Sequence, residues 1–349
     1  MVALLNDNSH LRKNILTGEW VLVSPHRSKR PWLGAVEKGG AHVLCEYDEN
    51  CYLCPTNTRS SGIKNPDYKS AFAFDNDFSA LLQIENESSI NENDLLVAKS
   101  ENGVCKVICF SPHHDLTLST MEIENIVDVV KLWKQETLEL GIRDDITNIQ
   151  IFENKGAIMG CSNPHPHCQI WATKSLTNEV AKEIESQKSY YESHNNSCLL
   201  CDYLQLEIKK DERTVLENEH FVVMIPYWAY WPFELLLLSK RHMASFLDLT
   251  IKEERALADI LNKISIKYDN LFECSFPYAM GFHQRPFDGL AYDEFHFHAH
   301  FYPPLLRSSS VKKFMAGFEL LGTLQRDITP EIAAERLKGL DKELWSNCL

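Results

Sequence analysis

The stretch GCSNPHPHCQIW (Gly160–Trp171) places two histidines two residues apart, a proline between them and a glutamine at the next alternate position. Successive side chains of an extended chain point to opposite faces. His165, His167 and Gln169 are therefore expected on one surface, with Pro166, Cys168 and Ile170 on the other. Burying three such polar groups is unfavourable unless each is paired, so the row reads as a site rather than as packing. Pro166 lacks an N–H and has a fixed φ, which stiffens the backbone between the two imidazoles.

A second row, HFHAHFY (His296–Tyr302), lies in the chain's other half, and matching elements lead to both rows. The first copy runs CYLC (Cys51–Cys54), a strand-like KVICFSP (Lys106–Pro112), His114, a helix opened by STME (Ser119–Glu122), then ITNIQIF (Ile146–Phe152). The second runs CLLC (Cys198–Cys201), FELLLLS (Phe233–Ser239), His242, a helix opened by TIKE (Thr250–Glu253), then FPYAMGF (Phe276–Phe282). Both openings have the Ser/Thr-x-x-Glu form of a capping box. Apolar residues follow at helical spacing, Ile123, Ile126, Val127, Val130 and Trp133 in one copy and Leu257, Ile260, Leu261, Ile264 and Tyr268 in the other. The expected fold is α+β, a duplicated unit whose antiparallel strands form one extended sheet with flanking helices.

The chain has 349 residues and a net charge of −14, which opposes nonspecific binding to nucleic acid. Small anions remain suitable partners where cations gather, as in SPHRSKRPW (Ser24–Trp32), with Arg27, Lys29 and Arg30. No apolar run approaches the roughly 20 residues of a membrane span. The apolar start of the chain is too short for a secretion signal. A cytoplasmic protein is expected, so the eleven cysteines are judged as metal ligands before disulfides.

Cys51 and Cys54 have the C-x-x-C spacing that offers two thiolates to a tetrahedral ion. His165 and either His113 or His114 would complete a closed structural zinc site, which fixes the backbone two residues before His167. A second cluster is expected from His283, His296, His298 and His300, with Phe295, Phe297, Ala299 and Phe301 facing the core. Glu179 or Glu183 of NEVAKEIESQ (Asn178–Gln187) would supply a carboxylate. Cys198 and Cys201 either bind metal or are buried thiols left by the duplication, and the second reading is preferred. His167, without a metal partner, is a neutral imidazole able to attack phosphorus. Gln169 can donate to a phosphoryl oxygen, and Ser162 with the N–H groups of MGCSN (Met159–Asn163) can cradle the next phosphate.

GCSNPHPHCQIW, preceded by FENKGAIMG, resembles the active-site signature of the galactose-1-phosphate uridylyltransferase family, within the histidine-triad superfamily. The resemblance continues through CYLCPTNTRSSGIKNPDY, ENEHFVVMIPYWAYWPFELLLL, KYDNLFECSFPYAMGFH, HFHAHFYPPLLRSSSVKKFM and QRDITPEIAAERL, in order and over nearly the whole chain. It implies a histidine-triad-like half over 1–190 with the active site and zinc site, and another over 191–349 with the second metal cluster and a dimer and sugar-contact segment. It implies a ping-pong reaction, in which UDP-glucose uridylylates His167 and galactose 1-phosphate then takes the UMP to give UDP-galactose. Gln169 is the matching phosphate-binding glutamine. The implied zinc ligands are Cys51, Cys54, His114 and His165, and the implied iron or zinc ligands are Glu183, His283, His298 and His300, which leaves His296 outside. Uridine and phosphate contacts fall on Arg27, Arg30, Asn76, Asp77, Asn154, Gly160 and Ser162. Sugar contacts fall on Lys313, Phe314, Phe318, Glu319 and Gln325, lent by the other subunit of a homodimer with a shared active site. Phe318, where tyrosine is common, and QRPF after His283 depart from the family pattern and bear on sugar selectivity. Two other functions are distinguishable by experiment. A related nucleotide phosphorylase would accept ADP-glucose or a dinucleoside polyphosphate, and a non-catalytic zinc-stabilised binding module would hold an oligonucleotide without turning over UDP-glucose.

Overall fold

The computed structural model describes residues 8–29 and 45–348. Two strands open it, β1 (His10–Lys13) and β2 (Trp20–Val23). The first copy follows as β3 (Phe72–Asp75), a hairpin of β4 (Ser89–Glu92) and β5 (Leu96–Lys99), β6 (Gly103–Cys109), helix α1 (Ile123–Gly141), β7 (Asn148–Lys155) and β8 (His167–Thr173). Helices α2 (Asn178–Ser193) and α3 (Leu199–Lys210) come next. The second copy is β9 (Thr214–Glu217), β10 (Phe221–Met224), β11 (Leu235–Ser239), α4 (Ile251–Phe272), β12 (Tyr278–His283) and β13 (His298–Tyr302). Helix α5 (Phe318–Leu321), strand β14 (Gln325–Arg326) and helix α6 (Pro330–Lys338) complete the order.

Nine strands form one sheet in the order β3-β6-β8-β7-β12-β13-β11-β10-β9, and every pair in it is antiparallel. Outward from its centre, β7, β8, β6 and β3 are matched by β12, β13, β11 and β10, so the duplicated α+β fold is observed as a near two-fold arrangement. Phe152 lies opposite Gly281 at the central seam. A Cβ at Gly281 would stand 3.2 Å from the Ile151 carbonyl oxygen, so the absence of one lets the halves pair closely.

The apolar patterning places each layer. Ile126, Val130 and Trp133 of α1 and Leu257, Leu261 and Ile264 of α4 are buried against Ile151, Ile170, Leu237, Phe282 and Ala299 of the sheet and Phe297 just before β13. On the opposite face Leu200 and Leu204 of α3 pack with Val222, Met224, Leu236 and Leu238. Covering β11 on both faces explains its unbroken LLLL. The Thr250 capping box forms in full on α4. Its expected counterpart does not: α1 starts after Glu122 with no side-chain cap. Ser119 instead donates to Asp269 Oδ2 on α4 at 2.6 Å, a buried tertiary bond that outcompetes the local cap.

Candidate active site

Strand β8 alternates as its sequence requires. His167, Gln169 and Trp171 are half-buried on one face, and Cys168, Ile170 and Ala172 are buried on the other. Cys168 accepts from the Trp133 indole N–H at 3.1 Å and so faces the core. His165 precedes the regular strand; it is buried and its ring is turned to the Cys54 sulfur.

His167 Nδ1 lies 2.7 Å from the carbonyl oxygen of His165. A carbonyl only accepts, so Nδ1 carries the proton and Nε2 keeps its lone pair. Burial lowers the pKa of this ring, against a smaller opposing effect of the same carbonyl, and favours the neutral form. His167 lines a cavity of about 490 Å³ with Asn154, Lys155, Gly156, Ser162 and Pro166. A recess of about 40 Å³ beside it is lined by Asn154, Gly160, Ser162, His167 and Gln169. Gly160 ends a short 3-10 turn at φ 83°, a conformation that glycine adopts without strain.

Gln169 Oε1 accepts from the Trp171 indole N–H at 3.0 Å. An indole N–H only donates, so this bond fixes the flip of the amide and leaves its NH₂ group for an anionic oxygen. Trp171 is braced edge-on by Phe152, with ring centroids 5.8 Å apart. No role for Trp171 emerged from the sequence, although its place two residues beyond Gln169 on the same face was the available signal.

Cys51, Cys54, His114 and His165 come together, all buried. Cys54 Sγ is 3.7 Å from His114 Nδ1 and 3.5 Å from His165 Nδ1. Metal–sulfur bonds of about 2.3 Å and metal–nitrogen bonds of about 2.0–2.1 Å give a tetrahedron with sulfur–nitrogen edges of roughly 3.5 Å. The four donors fit one tetrahedral cation. His113 is excluded, because its Nδ1 sits 3.2 Å from Glu46 at the surface. His165 Nε2 donates to the Ser111 carbonyl at 2.9 Å, which aims Nδ1 at the sulfurs. Asn163, unassigned by sequence, donates to Cys51 Sγ at 3.3 Å and accepts the His165 N–H at 3.0 Å. Burial pushes the Cys54 thiol up to about 12, an effect that a bound cation reverses.

Glu183, His283, His298 and His300 form another cluster. Glu183 Oε2 lies 2.6 Å from His283 Nδ1 and 3.2 Å from His298 Nε2, and Oε1 lies 3.3 Å from His300 Nε2. Burial alone would raise the Glu183 pKa, but the charges of His283 and His298 hold it well below the ordinary carboxylate value. His300 Nδ1 is buried without a hydrogen-bond partner, and Nε2 faces only the Glu183 carboxylate, which fits a ligand set with room for a cation. Glu179 is exposed and pairs with Lys182, so Glu183 is the carboxylate of this cluster. His296 is not part of it: its Nδ1 points to Cys198 and Cys201. Phe295, Phe297, Ala299 and Phe301 are fully buried as expected.

The remaining expected contacts lie elsewhere. Asp77 accepts the Ser61 N–H at 3.1 Å and pairs with Arg59 at 3.5 Å, and Asn76 accepts the Phe78 N–H at 2.9 Å. Arg27 and Gln325 both reach Asp327 Oδ1, at 3.5 and 2.6 Å. Lys313 pairs with Glu319, and Phe314 and Phe318 are exposed. None of these residues lines the cavity at His167. Arg30 lies outside the described residues.

Residues 3–177 match the N-terminal domain model of galactose-1-phosphate uridyl transferase, and residues 183–347 match its C-terminal domain model. The chain belongs to the galactose-1-phosphate uridylyltransferase family. The galactose-1-phosphate uridylyltransferase of Haemophilus influenzae is 50% identical over 336 residues, covering 96% of this chain and 95% of its own. That of Saccharomyces cerevisiae is 47% identical over 355 residues, covering 97% and 96%. Among solved structures, a uridylyltransferase matches with TM-score 0.74 and 26% identity over 94% of this chain and 97% of its own. An ADP-glucose phosphorylase from Arabidopsis thaliana, solved with ADP-glucose, shares the fold at TM-score 0.73 and 24% identity, over 96% of this chain and 100% of its own. Membership makes this family chain an enzyme, a nucleotidyltransferase. Among the described residues no helix is long and apolar enough to cross a membrane.

Proposed function

We propose that this enzyme moves UMP from UDP-glucose to galactose 1-phosphate through a covalent uridylyl-His167. The observation that carries the reading is the His167 Nδ1 bond to the His165 carbonyl, which commits one ring nitrogen and leaves the other nucleophilic beside a cavity. Nε2 attacks the α-phosphorus, the bond to the β-phosphate oxygen breaks, and glucose 1-phosphate leaves. The phosphate oxygen of galactose 1-phosphate then attacks, the phosphorus–nitrogen bond breaks, and the neutral imidazole is restored. Gln169 donates to the nonbridging oxygen on which charge builds in both steps. Because departure and attack are near mirror images, no separate base is needed.

Zinc is the proposed ion for the Cys51, Cys54, His114 and His165 set, where it would hold the segment before His167; iron or zinc is proposed for Glu183, His283, His298 and His300. We assign active-site chemistry to 1–190 and the second metal and sugar-contact segment to 191–349. Arg27, Arg30, Asn76 and Asp77 are proposed for the uridine and phosphates, with Asn154, Gly160 and Ser162. Lys313, Phe314, Phe318, Glu319 and Gln325 are proposed to serve a partner's cavity in a homodimer. The exposure of Phe314, Phe318, Leu320 and Leu321 supports that reading. None of the ten cysteines whose side chains are described is in a disulfide, in keeping with a cytoplasmic site of action. Incubation with UDP-glucose labelled in uridine should yield an acid-labile UMP-protein, and His167→Gly should abolish it and lower turnover by at least ~10⁴-fold. Equal labelling of that variant, or preference for ADP-glucose in competition, refutes the assignment.

A further inference from the structure

The sequence leaves Cys198 and Cys201 as either metal ligands or vestigial thiols. Their surroundings give them the same partners as the first cysteine pair. Cys201 Sγ is 3.3 Å from His296 Nδ1 and 3.5 Å from His242 Nδ1, and Cys198 Sγ is 3.6 Å from His296 Nδ1. These are again the sulfur–nitrogen edges, roughly 3.5 Å, of a tetrahedron around one soft cation. All four donor atoms lie within 4.8 Å of one another.

We infer that Cys198, Cys201, His242 and His296 form a third metal site, a zinc site that mirrors Cys51, Cys54, His114 and His165 across the duplication. The parallel extends to the supporting bonds. His296 Nε2 donates to the Ser239 carbonyl at 3.0 Å, as His165 Nε2 does to that of Ser111. A carbonyl only accepts, so Nδ1 of His296 is a bare lone pair aimed at two sulfurs. The rings of His242 and His296 lie 5.4 Å apart at 74°, and those of His114 and His165 lie 5.4 Å apart at 70°. Two thiolates and two imidazoles select zinc over hard cations.

The site ties three elements. Cys198 caps α3 and accepts the Cys201 N–H at 3.4 Å, His242 follows β11, and His296 stands two residues before His298. His298 Nδ1 bonds the His296 carbonyl at 2.7 Å, so the ion would position a ligand of the Glu183 cluster much as the first zinc site positions His167. The first set is buried throughout, whereas Cys201 is half-exposed and His242 exposed. The new site should therefore yield its ion first.

The test is elemental analysis of the full-length enzyme beside Cys198→Ser/Cys201→Ser, produced alike. The variant should contain one equivalent of zinc per chain less than the wild type, and should still label with UDP-glucose. A colorimetric chelator should remove that equivalent from the wild type faster than the rest. After reloading with cobalt(II), the thiolate-to-metal charge-transfer band of the variant should be about half that of the wild type, since two of four thiolate ligands remain. If the double variant does not fold, His242→Ala at the exposed rim replaces it, with the same loss expected. Equal metal content and an undiminished cobalt band in a folded variant overturn the site. Loss of the zinc equivalent from an enzyme that never labels His167 supports this site while refuting the proposed reaction.

Discussion

His167 in the first half and His298 in the second occupy equivalent positions on inner strands of one sheet, and each donates Nδ1–H to the carbonyl two residues earlier at 2.7 Å. They part company at Nε2. That atom of His167 belongs to a ring lining a cavity, whereas that of His298 lies 3.2 Å from the buried Glu183 carboxylate. The next alternate residue differs as well, Gln169 in one half and His300 in the other. One scaffold thus presents a nucleophile once and a ligand once, and the deciding group is a carboxylate carried by α2 between the copies.

Removing that carboxylate tests the comparison most severely. Glu183→Gln leaves three imidazoles crowded without their anion, and breaking a buried charged set costs about 3–5 kcal/mol. Urea unfolding should report a loss of that size, and metal analysis should report loss of the ion from this cluster. Labelling of His167 in the folded fraction should persist. If labelling vanishes while the fold holds, the halves are coupled chemically and the contrast is wrong.

Gln169→His gives the active half the second half's residue. The imidazole cannot reproduce the amide oriented by Trp171, so kcat should fall about 10²–10³-fold, the usual effect of losing one donor to a developing oxyanion. Single-turnover labelling should show the loss in the chemical step, with KM little changed. A matching loss in Trp171→Phe of about 10-fold would locate part of it in the indole bond that sets the amide.

Much of this contrast was legible in residues. The period of two separated His167 and Gln169 from Cys168, and the repeated order of C-x-x-C, strand, histidine, helix and strand disclosed the duplication. Spacing alone groups His296 with His298 and His300, whereas the family resemblance leaves it outside, as the structure does, and the reason is physical. Spacing along one row cannot show which tertiary groups each ring meets, and only the approach of α3 reveals the cysteines as the partners of His296. The repeated order of C-x-x-C, strand, histidine and histidine row aligns Cys198, Cys201, His242 and His296 with the first zinc set, which is the signal in the sequence for this site. Ser119 illustrates the opposite failure: a sound local capping motif was overridden by a buried aspartate 150 residues away in sequence.

The seam between the halves offers the gentlest test. About the Phe152–Gly281 pair, Glu153 faces Met280 and Phe282 faces Ile151, so Glu153 and Phe282 occupy equivalent places, one polar and one apolar. Glu153 is buried and accepts the Tyr278 hydroxyl at 2.9 Å. Burial raises its pKa to about 7, against the lowering effects of Lys155 and Tyr278. The unfolded chain, with a carboxyl pKa near ~4.3, loses this proton first as pH rises. Between about 4.3 and 7 the folded state therefore holds more protons, and stability falls with rising pH through that window before levelling off. Glu153→Gln keeps an acceptor for Tyr278 and has no charge to bury. Its stability should match wild type near pH 5 and exceed it by up to about 3 kcal/mol at pH 8, at about 1.36 kcal/mol per pKa unit. Paired urea titrations at the two pH values measure the difference directly, free of any pH dependence of the metal clusters that both proteins share. A variant less stable than wild type at pH 8 would mean that Glu153 is ionised in the folded seam and held by Lys155, which lies across the ring of Tyr278 at 5.5 Å.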